Sequence, residues 1–357
     1  MKNANKVSRS FQHMILLCGC LLIYYSVSAR QHKPTESGYI AQKTQGIDSD
    51  YVLIFNSYSE SAPWCRSLVD STVMDLIKLS PQTMTVTQNL NSGLLRDEKA
   101  LAQLRQQVDV SYHDKPRMII YIGSTSWPFL HETIEKKWGK VPSIIFSDID
   151  YTGPIANLLR KTPIAPALRI PYDKIVKEYE GALSVVYMPI YLRQSLALMH
   201  QLTPPMTELC FISDTRWISA QMRADMAAIT KTDFPELKVR YLISADMSTL
   251  DLLDSLQHYG QETGVLFFSW LKQSQVGDSF VNDSHFRIII SKSARQPLFV
   301  LNDNEVNTDS DVLGGYFPTR AAVSHHVRLA LEKTLAGQPG SFQTVEPAQP
   351  VIDYLTL

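Results

Sequence analysis

Cysteine is scarce: 4 in 357 residues, with Cys18 and Cys20 inside an N-terminal apolar segment, which excludes a disulfide framework. Excess charge is absent as well, since 34 Lys and Arg meet 35 Asp and Glu. Nothing in that balance suggests a nucleic-acid partner, because phosphate binding wants a concentrated basic surplus. No apolar run beyond the N-terminal one approaches the roughly 20 residues that cross a bilayer. The chain also lacks a Gly-x-Ser-x-Gly elbow, a His-Glu-x-x-His helix and a Gly-x-x-x-x-Gly-Lys loop. No enzymatic activity, metal or cofactor is therefore expected of this chain. What is present is ordinary for packed cores, with 45% hydrophobic and 10% aromatic residues in a length that suits two domains or lobes.

Residues 1–29 read as an export segment. Lys2, Lys6 and Arg9 precede the apolar run Met14 to Val27, and Val27-Ser28-Ala29 offers a small-residue cleavage site. A cleaved signal peptide is expected, with an uncleaved signal anchor held by Tyr24 and Tyr25 as the alternative. Residues 30–49 are polar and aperiodic, a flexible lead-in. Everything after them is expected outside the cytoplasm, with Cys65 and Cys210 as separate buried thiols.

From Tyr51 onward, short apolar runs alternate with helical periodicity: Tyr51 to Asn56, Met84 to Thr87, Met118 to Ile122 and Ser143 to Phe146 read as strands. Continuous apolar strands separated by amphipathic helices predict a parallel sheet covered on both faces. A Pro-punctuated stretch, Pro154 to Pro171, precedes a second set: strands Leu183 to Tyr187, Leu209 to Ile212, Val239 to Ile243 and Val265 to Ser269. Pro297 to Asn302 starts another strand, Arg320 to Leu335 another helix, and Pro350 to Tyr354 a last strand. The expected lobes are discontinuous: 50–153 with 297–336, and 154–296 with 337–357.

The segment Asn56-Ser57-Tyr58-Ser59-Glu60-Ser61-Ala62-Pro63-Trp64 after the first strand resembles the opening of periplasmic-binding-protein-like domains related to ABC transporter substrate-binding proteins, with Asn56 where that family commonly has His. Those domains also form the extracytoplasmic sensor region of bacterial histidine kinases. The resemblance continues through Gly181 to Tyr187, Pro297-Leu298-Phe299, Val312 to Tyr316, Leu335-Ala336-Gly337 and Pro350 to Tyr354. It implies a type I periplasmic-binding fold: two Rossmann-like doubly wound lobes, a hinge of three crossings, and a ligand in the cleft. It further implies a periplasmic protein, exported or held at the bacterial inner membrane by its leader or by a helix beyond Leu357. The leading functional expectation is the input module of a two-component sensor histidine kinase, acting through a second copy or a signalling partner. Kinase activity would then belong to a region beyond this chain. A free-standing substrate-binding protein of an ABC importer is the alternative.

In open parallel sheets ligands bind beyond the carboxyl ends of the strands. That rule selects Ser57, Tyr58, Ser59 and Trp64 after the first strand, Ser124 and Thr125 after the third, and Ser147 and Asp148 after the fourth. In the second lobe it selects Asp214, Thr215 and Arg216, then Trp270 and Asp303, with Tyr316 near the hinge. Each loop also reads simply as a helix cap. Arg216 is expected to clamp an anionic ligand, so that its removal weakens binding by about 1.5–3 kcal/mol.

Overall fold

The computed structural model describes residues 50–59, 62–203, 205–273, 280–281, 286–302, 311–346 and 350–353. The leader, the lead-in to residue 49 and Asp303 lie outside them. The chain runs β1 (Tyr51–Asn56), α1 (Pro63–Leu79), β2 (Met84–Asn89), α2 (Glu98–Ser111), β3 (Met118–Ile122), α3 (Ser126–Trp138) and β4 (Ser143–Ser147). An arm follows, made of β5 (Tyr151–Thr152), α4 (Ile155–Arg160) and β6 (Ile170–Pro171), and then α5 (Tyr172–Glu178) and β7 (Leu183–Tyr187). Next come α6 (Leu192–Leu202), β8 (Glu208–Ser213), α7 (Trp217–Asp233), β9 (Lys238–Ile243), α8 (Thr249–His258) and β10 (Thr263–Phe267). A short pair β11 (Lys272–Gln273) and β12 (Phe280–Val281) precedes α9 (Phe286–Ser293), β13 (Leu298–Val300) and β14 (Val312–Gly315). The last elements are α10 (Arg320–Leu335), β15 (Phe342–Thr344) and β16 (Val351–Ile352).

Every residue of β1, β3 and β4 is buried, as strands of Val, Ile, Leu, Phe and Tyr must be when helices cover both faces. They form a six-stranded sheet ordered β15-β7-β4-β3-β1-β2, parallel throughout. The second six-stranded sheet is ordered β16-β14-β13-β10-β8-β9, with only β16 antiparallel to its neighbour. Two doubly wound α/β lobes result.

The crossings fall elsewhere than the lobe boundaries expected from sequence. The chain passes between sheets after β7, after β14 and after β15. Thus β7 and β15 belong to the first lobe, and β13, expected to return there, pairs with β10 in the second at Val265↔Leu298. A fully buried parallel strand is apolar whichever sheet holds it, so composition cannot assign membership. Helix α10 packs on the first lobe, burying Val327, Ala330 and Leu331 with Val52, Ile54 and Leu68.

The Pro154 to Pro171 stretch was expected in the second lobe. It is the arm of the first lobe, closed by antiparallel β5 and β6, and it reaches helix α7 of the second. Trp217 Nε1 donates to Thr162 O at 3.0 Å, Ile164 N donates to Gln221 Oε1 at 2.8 Å, and Arg169 meets Asp225 at 3.2 Å. Gln221 is fully buried, so Gln221→Ala strands the Ile164 N–H. A loss of about 1–3 kcal/mol is expected in urea unfolding, whereas an unchanged midpoint would show that the arm does not tie the lobes.

The crossings are laced to one another. Val345 N donates to Tyr187 O at 2.8 Å, Tyr191 Oη to Val345 O at 3.3 Å, and Ser195 Oγ to Tyr316 O at 3.4 Å. Among the described residues, no helix is long and apolar enough to cross a membrane.

Candidate functional site

The carboxyl ends of both sheets open on one cavity of about 200 Å³. Tyr58, Trp64 and Asp148 contribute to its wall from the first lobe, and Arg216, Ile218, Phe267 to Leu271, Leu301 and Asn302 from the second. The crossings close it with Met188 to Ile190 and with Phe317 and Pro318, and the first turn of α10 adds Arg320, Val323 and Ser324. The wall is mainly apolar and rich in aromatic rings, with a few polar groups, which is the usual chemistry of a small-molecule pocket.

The turn after β3 holds Tyr58 in place. Gly123 sits at φ +87°, and a Cβ there would fall 2.8 Å from both Ser57 Oγ and Tyr58 Cε2. Gly123→Ala therefore combines left-handed strain with a clash. A loss of about 1–3 kcal/mol is expected by thermal unfolding, together with displacement of the Tyr58 ring. An unchanged melting temperature would sink the argument.

Tyr58, Trp64, Asp148, Arg216 and Trp270, five of the residues picked out by the sheet rule, line the cavity. Three others turn inward to hold the strand-end loops. Ser57 Oγ accepts from Ser126 N at 2.9 Å, Thr125 Oγ1 pairs with Ser92 Oγ at 2.7 Å, and Ser147 Oγ accepts from Ile149 N at 3.2 Å. Ser59 and Thr215 are half-buried in the flanking turns, outside the wall. Tyr316 stands in the second crossing with its ring 5.4 Å from Tyr191.

Asp214 lies behind the wall as the organiser of the second-lobe loop. Fully buried, it accepts from Arg216 N at 2.9 Å, Arg216 Nε at 2.8 Å and Ser219 Oγ at 2.6 Å. The guanidinium of Arg216 then projects across the cleft, 4.9 Å from the centre of the Tyr58 ring. Burial opposes its charge, but Asp214 more than compensates and keeps it above the usual arginine range. The charge expected to clamp an anion is thus already met by Asp214.

Asp148 is in the opposite condition. Its Oδ1 is buried without a hydrogen-bond partner, and burial raises its pKa to about 6 against the opposing effects of a hydrogen bond from its own backbone and the charge of Arg216. Ser124 Oγ, equally buried, has no partner at normal hydrogen-bond distance, yet lies near enough to favour the ionised carboxyl. Burial pushes the Tyr58 hydroxyl and the Cys65 thiol well above their ordinary ranges, so both are neutral. Cys65 and Cys210 are unpaired and buried.

The sheet rule missed the apolar half of the wall. Ile218, Phe267, Leu301 and Phe317 carry no polar signal, and Arg320, Val323 and Ser324 reach the cavity only because the second crossing delivers α10 there.

No protein-family model matches the chain, nor does any curated protein sequence. Solved structures do match. A sugar ABC transporter of Yersinia enterocolitica subsp. enterocolitica 8081 is 12% identical with a TM-score of 0.55, over 87% of this chain and 85% of that one. A conserved domain protein of Vibrio cholerae O1 biovar El Tor is 9% identical with a TM-score of 0.54, over 87% and 93%. The ABC domain of Streptococcus pneumoniae in complex with L-Trp is 12% identical with a TM-score of 0.50, over 87% and 93%. The fold is that of type I periplasmic-binding proteins.

Proposed function

We propose that this chain is an extracytoplasmic binding protein for a small molecule, non-enzymatic in itself, whose lobes hold the ligand between them and pass the bound state to a partner. The observation that carries this reading is the cavity at the carboxyl ends of both sheets, walled by both lobes and by two of the crossings. A group seated there touches the moving parts at once, which is what couples occupancy to lobe position. The partner we favour is a histidine kinase region for which this chain is the sensor input, held at the inner membrane and working as a dimer. The free-standing alternative, a substrate-binding protein of an ABC importer, draws support from the sugar transporter components among proteins of this fold.

The test is a thermal-shift panel of amino acids, amines, nucleosides, sugars and short peptides. A true ligand at 100 times its dissociation constant adds about 2.7 kcal/mol of stability. Ser324→Trp, which fills the cavity from α10, should abolish that shift; a shift that survives it places binding elsewhere. A membrane helix and kinase domain in the same reading frame would support the sensor assignment, and an adjacent permease gene after a stop codon the importer one.

A further inference from the structure

The unsatisfied charge in the wall indicates what the cavity takes. We infer that the cleft selects a small organic cation, a protonated amine on a compact aromatic or branched apolar body, with the Asp148 carboxylate as its counter-ion. This rests on the cleft being the binding site, as proposed above.

Three observations carry it. The first is charge: of the three ionic groups lining the cavity, Arg216 is already neutralised by Asp214 at 2.8 Å and Arg320, at the start of α10, is engaged by an interaction of its own, whereas Asp148 Oδ1 has no partner. A buried acceptor left unpaired is costly, and an ammonium, with three donors and no acceptor, satisfies it. A ligand carboxylate at the same place would instead face Asp148 and repulsion. The second is the wall itself. Tyr58, Trp64, Phe268, Trp270 and Phe317 surround the space with ring faces and edges, surfaces that favour both an apolar body and a cationic head. The third is size, since a cavity of about 200 Å³ is somewhat larger than the ~150 Å³ that accommodates benzene. One or two rings with a short tail match that volume.

Burial also works against ionisation of Asp148, and a cation beside it would reverse that opposition. Ser124 Oγ, also buried, lies near enough to Asp148 to favour the same ionised form.

The experiment compares three probes that share one ring: 2-phenylethylamine, 2-phenylethanol and phenylacetate, titrated calorimetrically into the full chain at pH 8. The amine should bind at least tenfold more tightly than the alcohol, and phenylacetate should not bind. In Asp148→Asn the amine should lose at least tenfold while the alcohol stays within twofold, which also shows that the variant is folded. Phenylacetate binding as well as the amine, or an amine-to-alcohol ratio unchanged in Asp148→Asn, overturns the inference. If none of the three binds but a sugar or nucleoside does, and Ser324→Trp blocks it, the amine class falls while the binding-protein reading stands. If nothing in the broad panel binds, both fall.

Discussion

Asp214→Ala is expected to destabilise the protein by about 3–5 kcal/mol in denaturant unfolding, the range for removing one partner of a buried ion pair. Asp214 has no exposed surface and satisfies three donors, two of them on Arg216. Without it, the guanidinium, only 13% exposed, keeps its charge in a cleft where Tyr58 offers a ring face and the carboxyl of Asp148, itself disfavoured as an ion by burial, is the remaining acidic neighbour. The turn that starts α7 loses its anchor as well, because Arg216 N and Ser219 Oγ both end on Asp214 Oδ1. Asp214→Asn should cost less, since its oxygen still accepts from the turn. Arg216→Met in the Asp214→Ala background should recover part of the loss, because an apolar side chain of similar length removes the stranded charge. A single Asp214→Ala variant within about 1 kcal/mol of the parent would refute the buried-pair account.

How much of this was legible in the sequence differs from element to element. The strands were, because β1, β3 and β4 are fully buried on both sides and a parallel sheet writes that as an unbroken apolar run. The doubly wound class and the type I fold followed from alternation and from the resemblance. Lobe membership did not follow, since nothing in Leu298–Val300 distinguishes the neighbour β10 from a strand of the first sheet. The strand β14 was hidden by Gly314 and Gly315, which a strand interior normally avoids. Here they are needed for close approach: a Cβ on Gly314, at φ +135°, would lie 2.1 Å from Val351 O, and one on Gly315 would lie 2.0 Å from Val300 O. The arm at Pro154 to Pro171 reads from sequence as part of the second lobe because its prolines break the strand-helix pattern without saying which sheet it belongs to, and its contacts with Trp217 and Gln221 are 55 and 57 residues away in sequence.

The candidate site shows the same division. Strand-end loops could be named in advance, so Tyr58, Asp148, Arg216 and Trp270 were found together at the cavity. Which hydroxyl turns inward could not be. Ser57 and Ser147 occupy the expected loops, yet each spends its oxygen on a backbone N–H, Ser57 on Ser126 of the neighbouring loop and Ser147 on Ile149 of its own turn. The state of each charge was also beyond sequence. Asp214 and Asp148 both follow a strand and a Ser, but one meets Arg216 and the other meets burial without a partner.

Asp148→Asn is expected to make the unliganded protein more stable at neutral pH, by an amount that shrinks as the pH falls. The carboxyl titrates near 6 in the folded protein against 3.8 as its ordinary value, chiefly because burial disfavours the charge. Its folded pKa is raised, so between those two values the folded state binds more protons than the unfolded one. Stability is therefore lost as the pH rises from about 4 to about 6, and the loss persists above that window. The rise from 3.8 to about 6 corresponds to about 3 kcal/mol at pH 7, an upper figure that the exposed part of the residue trims. The groups facing Asp148 do not remove the effect: its own backbone N–H, Arg216 across the cleft and Ser124 favour its charge, while Tyr58, Tyr172, Tyr187 and Cys65 surround it as neutral groups. Melting curves at pH 4.5 and pH 7.5 check this. The parent should lose more stability than Asp148→Asn between the two, and the variant should gain about 1–3 kcal/mol at pH 7.5, several degrees for a chain of this size. Parallel curves for the two proteins, or a variant less stable at pH 7.5, would show that the Asp148 carboxylate is not strained in the empty cleft. A bound cation would remove the same strain, so 2-phenylethylamine should flatten the parent curve toward that of the variant and leave the variant curve in place.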